Sequence, residues 1–218
     1  KILNKDELLN IILNNNNYYN TFNSLDLKVR NVQSIDEYKK IIINEPVTIN
    51  YYEEYLIKSS INEIKNKLEN YYVIGFDGKK ANEIIWTIGI VNGKKYEDGL
   101  PHTVNNVIII PKNLIYSHKL KDTLIHELVH IYQKTYPEDI QEYLNHYNFK
   151  ITLKPNLNIR ANPDLDNNIY VNSNNDKMLC IYNDNPKSIM DVIYYPINDP
   201  SSEHPFELMA YTIENEMK

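Results

Sequence analysis

Cysteine is nearly missing from this chain. Cys180 stands alone, so no internal disulfide can form and no cysteine-based zinc site can be built. Long apolar runs are missing too. No stretch approaches the roughly 18 residues of a membrane-spanning helix, and no membrane partner is expected. Positive charge is in short supply: the formal net charge is -6, the reverse of a nucleic-acid-binding footprint, so no nucleic-acid partner is expected either. Glycine occurs five times and alanine only as Ala81, Ala161 and Ala210, while Asn, Ile, Lys and 19 tyrosines crowd the sequence. That bias follows A/T-rich codons and reads as a genome signature rather than a functional one.

The rest is an ordinary globular balance, 42% hydrophobic and 24% charged over 218 residues. One well-cored domain over 1–218 is expected, with a helical portion over 1–71 and a sheet with later helices over 72–218. Residues 6–13 form a short apolar-rich segment, and the asparagines at 14–17 read as a loop. Ser34 with Glu37, and Asn50 with Glu53, are spaced as capping boxes and open two helices, to about Asn44 and Tyr71. Tyr52, Leu56, Ile57, Ile61, Ile64 and Leu68 form a helical stripe that reads as core. Strands are expected over 72–76, 83–91 and 104–110, with Asp77-Gly78 as a turn. Helices follow over 117–134 and 138–146, then a hairpin of 169–171 with 178–182. Pro205 suits the first turn of a last helix, to about Glu216. Helices, then a small sheet, then helices describe an α+β fold.

One motif carries chemistry: His126-Glu127-Leu128-Val129-His130. Histidines four apart lie a turn apart on one helix face, where their imidazoles can take adjacent corners of a tetrahedral zinc site. Glu127 sits one step around the helix, placed to take a proton from an activated water. Thr123, Leu124, Leu128, Val129, Ile131 and Tyr132 are uncharged, so the helix can be buried. Buried His and Glu side chains need partners, and a metal supplies one.

A catalytic zinc needs a third protein ligand. The extension H-E-x-x-H-x-x-G-x-x-H fails, because Gln133 and Tyr136 stand where glycine and histidine are required. The chain resembles the gluzincin branch of the zincins, over about residues 99–211. Those enzymes take a glutamate from a later helix, and the segment from Glu203 to Tyr211 looks like that helix. The resemblance implies a zincin-like fold, one Zn2+ held by His126, His130 and Glu207, Glu127 as general base, and a peptide or protein substrate. Glu203 and Asp164 remain alternative third ligands. In zincins an edge strand near the zinc helix pairs with substrate, and residues 104–110 are either that strand or an ordinary central one. An oxyanion donor is open among Tyr170, Tyr194, Tyr195, Tyr211, Arg160 and His102. His146 reads as a supporting group or a helix end. Two other readings stay open: a zinc amidase acting on a non-protein substrate, and a non-enzymatic interaction protein on the same scaffold. The lone cysteine favours a reducing, cytoplasmic interior, although the sequence begins at Lys1 and a leader removed before it stays open. Nothing in the sequence sets the oligomeric state.

Overall fold

Asparagine shapes the first third of the protein. The computed structural model describes residues 1–218, and opens with α1 (Lys5–Leu13), α2 (Asn16–Tyr19), α3 (Ser24–Val29), α4 (Ile35–Ile42) and α5 (Tyr51–Leu68). Asn4, Asn23 and Asn50 cap α1, α3 and α5, and Glu7, Asp26 and Glu53 bond back to complete capping boxes. Ser34 caps α4 by accepting from the Glu37 N–H.

The chain then makes a small hairpin of β1 (Tyr72–Val73) and β2 (Phe76–Asp77), followed by α6 (Gly78–Glu83). Next come β3 (Ile88–Val91), β4 (His102–Val104) and β5 (Val107–Pro111), which form a sheet in the order β3-β5-β4. β3 runs parallel to β5, and β4 runs antiparallel to it. After α7 (Leu120–Thr135) and α8 (Pro137–His146), the strands β6 (Lys150–Thr152), β7 (Ile169–Val171), β8 (Lys177–Tyr182) and β9 (Val192–Tyr195) form an antiparallel sheet in sequence order. α9 (Pro205–Glu216) closes the fold. The class is α+β. No helix is long and apolar enough to cross a membrane.

The strand period of two divides the core. Ile88, Ile90, Ile108 and Ile110 face one side of the sheet, with Ile57, Ile64 and Leu68 of α5 and Leu124 and Leu128 of α7. Val91, Val107 and Ile109 face the other side, with Leu8, Ile12, Tyr38 and Ile42. Each fully buried leucine of α7 contributes about 1.5–3 kcal/mol to holding that helix against the sheet. α9 joins the same core through Met209, Ala210 and Ile213, which brings it alongside α7.

Several expectations need correction. Residues 104–110 are not one strand: the chain turns at Asn105-Asn106, with Asn105 at φ 54, and Val104 pairs back onto Val107. β5 is therefore the centre of its sheet, with β3 and β4 at its edges. Asp77-Gly78 is not a turn but a helix start, where the Asp77 side chain accepts from the Lys79 and Lys80 N–H groups. The strand expected over 83–91 is confined to Ile88–Val91. Asn16 and Asn17 lie in α2 rather than in a loop. Tyr52 leaves the α5 stripe and is 62% exposed.

A buried ion pair ties the first helices to the sheet. The Arg30 guanidinium bonds Glu97, just before β4. Glu97 also accepts from Tyr18 at 2.8 Å and Tyr38 at 2.7 Å. Burial works against its charge, yet Arg30 holds its carboxyl below the usual range. The stability this supplies is present above the carboxyl's unfolded-state pKa and is lost as pH falls through its folded one. Arg30→Met should strand Glu97 and cost about 3–5 kcal/mol, read as a lowered denaturation midpoint. A loss within 0.5 kcal/mol would show that the pair does not tie the fold together.

Candidate metal centre

His126 and His130 project from α7 as its 3.6-residue period requires, with ring centroids 4.9 Å apart. Glu207 reaches them from the first turn of α9, which Pro205 starts and the His204 side chain caps by accepting from the Phe206 N–H at 3.1 Å. Glu207 Oε2 lies 3.3 Å from His126 Nε2, and Glu207 Oε1 lies 3.7 Å from His130 Nε2. All three candidate ligand atoms fall within 4.8 Å of one another.

Both imidazoles are oriented from behind. His126 Nδ1 meets Glu214 Oε2 at 3.2 Å, and His130 Nδ1 meets Gln133 Oε1 at 2.9 Å. The Gln133 amide is itself fixed, since its Nε2 donates to the Phe206 carbonyl at 2.9 Å. Acceptors at both Nδ1 atoms call for N–H there and turn both Nε2 atoms toward Glu207. His130 Nε2 is buried with no hydrogen-bond partner within the chain, and so is Glu127 Oε2.

These residues fit a zinc ion. Bonds of about 2.0–2.1 Å in a tetrahedron place ligand atoms roughly 3.3 Å apart, close to the two separations from Glu207. The orphaned His130 nitrogen is the kind of atom a metal satisfies. Burial opposes protonation of His126, but Glu207 and Glu214 raise its pKa well above the ordinary histidine value. Burial lowers that of His130. Burial also opposes the charge of Glu207, yet His130 and His126 hold its carboxyl at about 2. Burial and the neighbouring Asp164 charge push the Glu127 carboxyl well above the usual range.

The alternative ligands have other partners. Glu203 takes Arg160 Nη2 at 3.0 and 2.9 Å and Asn162 Nδ2 at 2.7 Å. Asp164 Oδ1 accepts from the Thr103 N–H and hydroxyl, both at 2.6 Å. Asn162 Nδ2 also donates to Glu207 Oε1 at 3.1 Å, steadying the ligand carboxylate.

The site lies in a cleft of about 250 Å³. Of the oxyanion candidates, His102, Arg160, Tyr194 and Tyr211 line it. The Tyr211 ring packs edge-on against His126 at 4.6 Å. Tyr170 is committed elsewhere, its hydroxyl donating to Asp166 at 2.9 Å. Tyr195 is exposed, on the opposite face of β9 from Tyr194. His146 ends α8 at the surface.

Sequence reasoning missed Glu214, Gln133 and the Asn162 contact to Glu207. Two of these had a helical signal: Glu214 is seven residues beyond Glu207, and Gln133 three beyond His130. Asn162 acts across the fold and has no such signal. No protein family, curated protein or solved structure matches the chain.

Glu214→Gln should keep the fold but weaken zinc binding about 10–100-fold, measured by competition with a chelator. Zinc uptake at neutral pH should release protons, since His126 must bind as the neutral imidazole; calorimetry in buffers of different ionisation enthalpy reads this. Unchanged affinity together with no proton release would remove Glu214 as the group behind His126.

Proposed function

We propose that this protein is a zinc-dependent metallopeptidase, zincin-like in fold and gluzincin-like in its ligands. The observation that carries the reading is the convergence of His126 Nε2, His130 Nε2 and Glu207 on one point beside an unpartnered Glu127 carboxylate. Two helices supplying the ligands, with an edge strand beside the cleft, agree with a zincin-like arrangement. Peptide as the substrate class comes from the family resemblance.

His126, His130 and Glu207 would hold the ion. What zinc supplies when bound is Lewis acidity, enough to polarise a carbonyl and to bring the pKa of water from 15.7 to about 7. The chain's own residues do the rest. Glu127 Oε2 takes the proton of the attacking water and returns it to the leaving nitrogen. With no hydrogen-bond partner inside the chain, Glu127 Oε2 is free to turn toward the reacting atoms. Gln133 and Glu214 keep the imidazoles in register, and Asn162 keeps Glu207 turned toward them. His102, Arg160, Tyr194 and Tyr211 are the donors within the cleft for the developing oxyanion.

Metal analysis should find about one zinc per purified chain, lost in Glu207→Gln. Glu127→Gln should keep the metal and lose hydrolysis of a broad peptide library by a factor of about 10²–10⁴. A zinc-loaded native chain that cleaves no member of the library would overturn the peptidase reading.

A further inference from the structure

β4 is the edge of its sheet on the side of the cleft. In its antiparallel pairing with β5, Thr103 sits opposite Ile108, between the His102–Ile109 and Val104–Val107 pairs. Successive residues of an edge strand turn their main-chain groups alternately into the sheet and away from it. Thr103 is an outward one. Its N–H leaves the sheet and donates to Asp164 Oδ1 at 2.6 Å. The Thr103 hydroxyl donates to the same oxygen at 2.6 Å and itself accepts from Lys134 Nζ at 2.5 Å. Two residues earlier, at the preceding outward position, stands Pro101, which has no N–H. The edge therefore offers an incoming strand no free main-chain donor.

Asp164 is firmly placed. It is buried, and its own N–H donates at 2.9 Å to the side chain of Asn162, the residue that also bonds Glu207. Leu100, Pro101, Pro163, Ile189 and Met190 share the cleft wall with its charged and polar residues. Its two arginines are already paired, Arg30 with Glu97 and Arg160 with Glu203. No free arginine or lysine remains in the wall to attract an acidic side chain, and six carboxylates line it.

We propose that Asp164 is a specificity-determining residue. It takes up the main-chain donor to which an extended peptide would add, so the cleft selects peptide segments without acidic side chains by side-chain fit rather than by strand addition. This rests on the peptidase reading and narrows its substrate class.

The test uses the zinc-loaded full chain and a series of apolar peptide hydroxamates, lengthened one residue at a time. Each has a counterpart with one amide replaced by an ester, which removes the N–H and weakens the carbonyl acceptor. Native affinity should stay within about threefold across the series and respond little to the ester, since the Thr103 N–H is not available to the peptide carbonyl that the ester weakens. Acidic side chains should weaken binding. Asp164→Ala, with its zinc content unchanged, should bind the longer members three- to tenfold tighter and become sensitive to the ester. Steep gains with length and an ester penalty in the native chain would overturn the proposal, even if the variant fails to fold. Turnover of the matching peptides is measured separately: no turnover with the expected binding pattern sinks only the peptidase reading, and turnover with the reverse pattern sinks only the role of Asp164. No binding by any member sinks both.

Discussion

Glu207 is a carboxylate buried between two imidazoles, and much of the cleft serves to keep it there charged. Taking such a group out of water costs several kcal/mol. The offset comes from His126 and His130 on one side and the Asn162 amide on another. The two histidines can act only where α9 lies close against α7. The small Ala210 side chain, fully buried, permits that approach, and Met209 and Ile213 fill the shared core beside it. Ordinary apolar packing thus fixes where a costly charge can be afforded.

From Glu207 the polar contacts run outward in a chain. Asn162 touches Glu207, Glu203 and the Asp164 N–H. Glu203 holds Arg160, and Asp164 holds the edge strand at Thr103. Asp26, in α3, accepts from the Ala161 N–H at 3.1 Å and the Tyr182 hydroxyl at 2.9 Å, which docks the same segment onto the N-terminal helices. Residues 160–164 are therefore a hub. They have no regular secondary structure, and their shape is set by side-chain hydrogen bonds to three separate parts of the fold.

That hub explains what the sequence could and could not show. α7 and α9 were legible because helix periodicity, Pro205 and the histidine spacing are local signals, readable within one turn or two. The three candidate ligands sit on those helices. The edge strand was misread for a physical reason: β4 and β5 are buried on both faces, so the run from Val104 to Ile110 shows no alternation to reveal the Asn105-Asn106 turn. Among so many asparagines, a two-residue asparagine turn carries little contrast. The start of α6 was missed because Asp-Gly serves equally as a turn and as a cap followed by a close approach. Gly78 needs to be glycine for the second reason, as a Cβ there would lie 2.1 Å from the Leu68 carbonyl oxygen. The Asn162 contacts to Glu203 and Glu207, more than 40 residues away, left no local trace.

The distribution of negative charge singles out one group. Glu97, Glu127, Asp164, Glu203, Glu207 and Glu214 all line a single cleft, an arrangement that self-repulsion would disfavour unless each charge were met. Five of them are met: Glu97 by Arg30, Glu203 by Arg160, Asp164 by Thr103, Glu214 by His126 and Lys218, and Glu207 by the two histidines. Glu127 is the exception, the one buried carboxylate here with an oxygen that finds no partner in the chain. Buried polar atoms left unsatisfied are rare in folded proteins. Where the neighbouring acids have each acquired a partner, the one that has not is the group best placed to exchange a proton with something that enters the cleft.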